Sequence, residues 1–128
     1  MKTLIIFGGA RKKGKTMQMV GHFLERVGTE QRMLDCYSLR ISPCRDCRRC
    51  QTQNACAIHD DMQQYYQLID EADNIVFAAP VYFYSTPGPM KVFIDRLQLY
   101  WASGIRKDRG KLSPQKGSNP PERGSSRL

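Results

Sequence analysis

The sequence predicts a doubly wound α/β fold built on a parallel β-sheet. Short apolar segments that suit buried strands alternate with segments whose apolar residues recur at helical spacing, and a glycine-rich turn follows the first strand. The chain has 128 residues, of which 41% are hydrophobic, and this is enough for one core. We therefore expect one domain over residues 1–104 and a disordered basic tail over residues 105–128.

The first part of the predicted domain is a βαβ unit. Residues 2–7 are apolar after Lys2, as expected of a strand that is covered on both faces. Residues 16–27 carry apolar side chains at helical spacing, and Gly28 ends this helix. Residues 31–37 form the second strand, so the crossover between the two parallel strands is right-handed.

A second helix and a third strand follow a long loop. Asp60 with Gln63, or Asp61 with Gln64, has the spacing of a capping box, which predicts a helix start. The inner face of this helix consists of Met62, Tyr65, Tyr66 and Ile69. Residues 74–79 form an apolar third strand that ends before Pro80.

A last helix begins near Met90. Its predicted inward side chains are Met90, Phe93, Ile94, Leu97 and Trp101. Beyond residue 104 the chain has few large apolar residues, and seven Lys or Arg stand against two acidic residues in residues 103–128. No fourth or fifth strand can be assigned, so only the first three strands of such a sheet are expected.

The glycine-rich turn has the composition of a phosphate-binding loop. Gly8, Gly9 and Gly14 allow a close approach of the backbone to a ligand, and the N–H groups of the next helical turn attract an anion. Basic side chains deepen the positive potential: Arg11, Lys12, Lys13 and Lys15. Residues 9–16 also match the nucleotide P-loop pattern G-x-x-x-x-G-K-[ST]. The bound group is therefore either a nucleoside triphosphate or another phosphate, and a turn without a ligand is the alternative.

Four of the five cysteines lie within thirteen residues, in the pattern C-x2-C-x2-C-x5-C. They are Cys44, Cys47, Cys50 and Cys56. Four thiolates this close in sequence suit a [4Fe-4S] cluster or a tetrahedral zinc site, and reduced thiols without a metal are the third reading. Cys36, at the end of the second strand, is interpreted as a small core residue.

Composition narrows the class of protein. No segment approaches the roughly 20 apolar residues of a membrane-spanning helix, and the N-terminus lacks the features of a signal peptide, so we expect a cytoplasmic protein with no membrane partner. The net charge of +8 is concentrated in the tail, the first loop and the cysteine loop. This distribution argues against a nucleic-acid-binding face.

Taken together, these segments resemble the flavodoxin-like NAD(P)H-dependent FMN reductase family, in particular its iron-sulfur flavoprotein branch. The first loop is similar to the family pattern G-S-P-R-x-x-G-N-T, with Gly9, Ala10 and Lys15 in place of Ser, Pro and Asn. A second family pattern appears as A-P-V-Y-F-Y-S over residues 79–85 and K-V-F-I-D-R over residues 91–96. The cysteine spacing resembles that of iron-sulfur flavoproteins.

The resemblance implies a flavin-dependent oxidoreductase that carries electrons from NAD(P)H through FMN to a flavin, quinone-like or other small acceptor. It implies FMN contacts from Gly9, Arg11, Gly14, Lys15 and Thr16, and from the aromatic loop Pro80, Val81, Tyr82, Phe83, Tyr84 and Ser85. The four loop cysteines would hold an iron-sulfur cluster. No catalytic side chain is assigned, and His59 is interpreted as a surface residue rather than a proton donor.

Two other functions stay open: a P-loop nucleotide-binding enzyme, and a zinc or nucleic-acid-binding module. The third strand ends in Ala-Pro and offers no carboxylate for Mg²⁺, which counts against the P-loop enzyme. A sheet in the order 2-1-3 leaves the apolar third strand at an edge. We therefore expect a truncated or frame-shifted family member that forms a homo-oligomer and binds FMN weakly unless a partner chain covers this edge.

Overall fold

The computed structural model describes residues 1–106, which fold into a three-stranded sheet flanked by helices. The strands are β1 (Lys2–Phe7), β2 (Glu30–Asp35) and β3 (Asn74–Ala78), and the helices are α1 (Lys15–Val27), α2 (Met62–Glu71), α3 (Gly88–Asp95) and α4 (Gln98–Arg106). A 3₁₀ turn, Arg49–Gln51, lies in the cysteine loop. Helix α4 runs two residues past the predicted domain boundary, and the rest of the predicted tail lies outside the described residues.

The sheet confirms the predicted flavodoxin-like order. Strand β1 is central and pairs in parallel with β2 on one side and with β3 on the other, giving the order β2-β1-β3. Phe7 lies opposite Asp35 in one ladder and opposite Ala78 in the other. The carboxyl ends of all three strands therefore meet at one edge of the sheet.

Each face of the sheet carries its own apolar core, because alternate side chains of β1 point to opposite sides. On one face, Ile5 and Phe7 pack with Val20 of α1. On the other face, Leu4 and Ile6 belong to a larger cluster that includes Met62, Tyr66, Met90, Phe93 and Leu99 from α2, α3 and α4. This two-sided burial explains why β1 is apolar throughout.

The helix ends agree with the sequence in one place and differ in another. Gly28 adopts a left-handed conformation with φ of 58° and ends α1, as predicted. The single predicted last helix is instead two helices, because the chain turns at Arg96 and Leu97. This break shifts the helical phase, so Leu99 and Ala102 are buried while Trp101, predicted to face inward, is 58% exposed.

Helix α2 begins as predicted but without the full capping box. The Asp60 carboxylate accepts a hydrogen bond from the Met62 N–H at 3.1 Å. The Gln63 side chain donates to the Ile58 carbonyl at 2.7 Å and does not reach back to the Asp60 N–H. Met62 and Tyr66 are buried on the inner face, as expected.

Strand β3 forms an edge of the sheet within residues 1–106, and this edge is apolar, as predicted. Ile75 and Phe77 remain 42% and 48% exposed. None of the helices in the described part of the chain has the length and apolar character needed to cross a lipid bilayer.

Candidate functional site

The first loop leaves the sheet between β1 and α1 and ends in an uncapped helix. The Gly8 N–H donates to the Ala78 carbonyl at 2.8 Å, so the loop starts beside the end of β3. Gly14, the residue before α1, has an extended backbone, and no side chain caps the first turn of the helix. The first N–H groups of a helix have no partner within it, so this turn can bind an anion.

Gly8 and Gly9 are required by packing rather than by a left-handed backbone, which among the described glycines only Gly28 adopts. A Cβ at Gly8 would lie 2.9 Å from the Met90 Cβ, and a Cβ at Gly9 would lie 2.6 Å from the Phe7 Cζ. Both distances are too short for real atoms. The loop is therefore pressed against the start of α3 and against the end of β1.

The basic residues of the loop divide into two groups. Lys12 pairs with Asp35 at the end of β2, and its ammonium lies 5.5 Å and 5.6 Å from the ring centres of Phe7 and Tyr37. Burial alone would raise the pKa of Asp35, but hydrogen bonds from Lys12, Ser38 and the Tyr37 N–H lower it overall. Lys12 is thus directed toward the end of β2.

Arg11, Lys13 and Lys15 are exposed and form no ion pair with any residue in 1–106. Of these, Arg11 and Lys15 are predicted ligand residues. Thr16, also predicted, is half-buried in the first turn of α1. The sequence does not indicate which lysine of the loop pairs with the sheet, because that depends on where Asp35, at the end of β2, lies in the folded chain.

The aromatic loop after β3 is a tight hairpin with a strained tip. Tyr82 and Ser85 exchange two backbone hydrogen bonds of 2.9 Å and 3.1 Å. The two residues between them, Phe83 and Tyr84, have φ of 43° and 64°. Such a turn normally carries Asn and Gly, because left-handed backbone is unfavourable for a bulky side chain.

Both aromatic side chains at this tip are 95% exposed, and their rings meet edge to face with centres 5.8 Å apart. Val81 is exposed as well, whereas Pro80 is half-buried. Neither the strained backbone nor the exposed rings contribute buried apolar surface to the fold. This combination of strain and exposure is typical of a segment that contacts a ligand.

The two loops begin side by side. β1 and β3 are neighbours, Phe7 lies opposite Ala78, and the Gly8 N–H is bonded to Ala78. The strand order changes direction at this point, and in doubly wound sheets ligands bind in the crevice at the carboxyl ends of such strands. An uncapped helix start and an exposed aromatic hairpin therefore both follow the carboxyl ends of these two neighbouring strands.

The cysteine loop brings its four predicted ligands to one cavity. Cys44 and Cys47 are exposed, Cys50 and Cys56 are half-buried, and all four line a small cavity together with Tyr66 and Arg96. Burial raises the pKa of the Cys50 thiol, and the charges of the other three cysteines raise it further. As they stand, no three Cys, His, Asp or Glu side chains within residues 1–106 are close enough together to bind a metal.

Arg96 is a site residue that the sequence did not single out, although it lies in the K-V-F-I-D-R motif. Its guanidinium is bound at both ends of the cysteine loop, to Asp60 and to the Ser42 carbonyl. Asp95, its neighbour in this motif, pairs with Lys91 instead. The only sign of this role in the sequence was an arginine at the end of a helical segment. Such a pattern does not reveal which carboxylate will lie beside the arginine in the folded chain.

Two other predicted residues lie outside both sites. Cys36 is buried, and burial together with Asp35 raises the pKa of its thiol to about 11, so it is an unreactive core residue as expected. His59 is exposed before α2, in agreement with a surface role.

Comparison with known proteins identifies the family. The profile of the family described as NADPH-dependent FMN reductase matches residues 1–113. An iron-sulfur flavoprotein of Archaeoglobus fulgidus is 34% identical over 103 residues, covering 78% of this chain and 47% of the relative. An iron-sulfur flavoprotein of Methanosarcina thermophila is 34% identical over 99 residues, covering 75% of this chain and 52% of the relative.

The chain spans about half the length of these curated relatives. No solved structure matches it significantly. The comparisons give no support to a P-loop enzyme or to a zinc or nucleic-acid-binding module. From its sheet order, the two loops at the end of β1 and β3, and the match over residues 1–113, the chain belongs to the NADPH-dependent FMN reductase family.

Proposed function

We propose that this chain binds FMN between the first loop and the aromatic hairpin, and that it functions as a flavin-dependent oxidoreductase. The observation that carries the proposal is the adjacency of an uncapped helix start and a strained, exposed aromatic tip at the β1/β3 switch point. A phosphate and a flat apolar ring system need these two surfaces side by side. The match to the FMN reductase family supports the same assignment.

The residues of the chain bind and orient the cofactor in this proposal. The first turn of α1, with Arg11, Lys15 and Thr16, holds the phosphate, while Gly9 and Gly14 leave room for the backbone to approach it. The loop Pro80, Val81, Tyr82, Phe83, Tyr84 and Ser85 borders the ring. When bound, FMN supplies hydride and single-electron chemistry that no side chain provides. NAD(P)H is the proposed donor, and a flavin, quinone-like or other small molecule is the proposed acceptor.

The cysteine loop is proposed to hold a [4Fe-4S] cluster. The donor set fits in its chemistry: four thiols line one cavity, and the Nε of buried Arg96 has no hydrogen-bond partner among residues 1–106. The thiols would have to move closer together to bind the cluster, because no three potential ligands in this part of the chain are close enough together to hold a metal. A buried cationic donor beside four thiols suits an anionic group. The names of the relatives support a cluster in the same family. Zinc remains the alternative occupant of the same thiols.

The test is a comparison of FMN with riboflavin, which lacks the phosphate. Purified chain is titrated into each flavin, and binding is followed by quenching of flavin fluorescence, with ATP as a competitor. We expect FMN to bind more tightly than riboflavin, and ATP not to compete. Equal binding of the two flavins would remove the phosphate assignment, and no binding of either would remove the flavoprotein proposal.

A matched pair of variants locates the phosphate. Lys15→Met should weaken FMN binding roughly 3- to 10-fold and leave riboflavin unchanged, because an exposed ion contact contributes about 1 kcal/mol. Lys2→Met removes the same charge at the opposite end of β1 and should change neither affinity. If both variants weaken FMN alike, the effect comes from net charge and not from this loop.

A further inference from the structure

Arg96 is the most deeply buried charged residue of the described chain, with 2% of its surface exposed. It follows the last residue of α3 and reaches back beneath the cysteine loop. Its guanidinium forms a two-pronged ion pair with Asp60, with 2.7 Å from Nη1 to Oδ2 and 3.0 Å from Nη2 to Oδ1. A planar guanidinium can make such a pair, and a lysine ammonium cannot.

The same guanidinium holds both ends of the cysteine loop. On the side before Cys44, Nη1 donates to the Ser42 carbonyl at 2.9 Å. On the side after Cys50, Nη2 lies 3.5 Å from the Cys56 Sγ and 3.4 Å from the Ile58 carbonyl. One side chain therefore sets the distance between the start of the loop and its fourth cysteine.

Asp60 completes this closure from the opposite direction. Its carboxylate accepts hydrogen bonds from the Ser42 N–H at 2.7 Å and from the Met62 N–H at 3.1 Å, besides the pair with Arg96. It thereby ties the entry of the loop to the start of α2. Within the loop, Asp46 and Arg48 have left-handed backbones with φ of 52° and 61°, so the loop is bent sharply inside a closed base.

The four cysteines and Arg96 share one cavity. The Arg96–Asp60 pair places its guanidinium beside Cys56, and the Nε–H of Arg96 has no hydrogen-bond partner within residues 1–106. A buried cation lowers the free energy of whichever state of its surroundings carries the more negative charge. Hydrogen bonds to ligand sulfurs and nearby charge are also known determinants of iron-sulfur potentials.

We propose that Arg96 is a positioning residue of the cysteine site, which holds Cys56 at the base of the loop that carries the other three cysteines and stabilises the more negatively charged, reduced state of a bound cluster. This inference rests on the proposed function in one respect, namely that these cysteines hold a cluster. It adds the residue that sets the loop geometry and the potential.

The experiment uses the full chain, reconstituted anaerobically with ferrous iron and sulfide. Two quantities are measured: the rate of iron release to a chelator, and the midpoint potential in a redox titration followed by visible absorption. The variants are Arg96→Lys, the double variant Arg96→Met with Asp60→Asn, and the control Lys91→Met. The double variant removes both charges of the pair, so no unpaired carboxylate is left under the loop.

We expect Arg96→Lys to release iron roughly 10-fold faster, the lower end of what outer-shell substitutions cost in metal affinity, while its potential stays near that of the parent because the charge is kept. The double variant should release iron at least as fast. Its potential should be more negative, but by less than the loss of an unpaired cation would give, because the Asp60 charge is removed together with the guanidinium that lies 3.5 Å from the Cys56 Sγ. Lys91→Met, which removes an exposed cation from α3, should match the parent in both.

The inference is overturned if the folded double variant, checked by circular dichroism, keeps the parent's release rate and potential. If the double variant does not fold, Arg96→Lys decides, and an unchanged release rate contradicts the proposal. Failure of the parent chain to take up iron also overturns it. The FMN titration on the same preparation shows separately whether the flavin proposal fails.

Discussion

The Phe7 ring restricts the size of the residue that can occupy position 9. The Phe7 ring is fully buried and lies where a Cβ at position 9 would stand, 2.6 Å from Cζ. In the family pattern that the loop resembles, the residue at this position is Ser. The Phe7 ring leaves no room for a serine side chain at position 9. The chain therefore has glycine there and lacks the hydroxyl group of the family pattern.

We predict that Gly9→Ser destabilises the fold by about 1–3 kcal/mol, the usual cost of overpacking a core. The second substitution Phe7→Leu shortens the obstructing side chain and should recover part of this loss. Urea unfolding of the two single variants and the double variant gives the coupling energy. Additive effects of the two substitutions would contradict direct contact between them.

Tyr84, at the hairpin tip, has an unfavourable left-handed backbone conformation with φ of 64°. Tyr84→Gly should raise the free energy of unfolding by about 1 kcal/mol, because glycine adopts this conformation without steric conflict. It should also weaken FMN binding, since the ring is lost. Tyr84→Ala is the matched control: it loses the same ring but keeps the strain, so its binding should fall without the gain in stability.

At the scale of the structural element, the base of the cysteine loop depends on an ionised carboxylate. Burial alone would raise the pKa of Asp60, but hydrogen bonds from Arg96 and the Ser42 N–H lower it overall. A carboxyl group with a lowered pKa in the folded state contributes stability above its unfolded pKa, and this contribution is lost as pH falls through the folded value.

We therefore predict that the wild-type chain loses stability as pH falls below about 4, the ordinary range of an aspartate. Asp60→Asn should be less stable at pH 7, and the difference from wild type should shrink toward pH 3. Urea unfolding at several pH values measures this difference. The control Asp95→Asn alters an exposed pair with Lys91, and its small difference from wild type should not follow the same trend.

The C-terminal end of α3 is connected to the cysteine loop through Arg96. The chain turns at Arg96 and Leu97, and the Tyr66 hydroxyl donates to the Arg96 carbonyl at 2.8 Å. This turn lets the Arg96 side chain run under the cysteine loop while α4 packs against the 3₁₀ turn.

At the scale of the whole molecule, the two edges of the sheet differ. β2 carries Glu30 and Arg32 as exposed charges, which discourage pairing with another strand, whereas β3 exposes Ile75 and Phe77. Within residues 1–106 no strand covers the β3 edge, and an apolar edge of this kind favours association. We expect the chain to form homo-oligomers through β3.

Phe77→Lys should weaken this association roughly 10-fold, which corresponds to about 1.4 kcal/mol. Sedimentation velocity over a range of protein concentrations measures it. Met33→Lys places the same charge on an exposed residue of β2 and serves as the control. If the two variants behave alike, the association uses a surface other than the β3 edge.

Most of the fold and the location of the candidate site could be predicted from local patterns. An apolar β1, helical periodicity before Gly28 and Pro80 after β3 are properties of short segments. The order β2-β1-β3 was implied by the resemblance to flavodoxin-like proteins, and the structure has it. The glycine-rich loop and the aromatic loop follow directly from their strands, so their adjacency in the crevice could be inferred. Their contact with FMN stays a prediction.

The contacts that shape the sites depended on residues distant in the chain. Arg96 meets Asp60 and Ser42 across 36 and 54 residues, and Lys12 turns to Asp35 on a neighbouring strand. A charged side chain is buried only where the assembled fold supplies an opposite charge and carbonyl oxygens for it. Periodicity and turn signals carry no information about which distant charges and carbonyl oxygens will surround a side chain. For this reason the break after α3 and the closure of the cysteine loop became visible only in the tertiary structure.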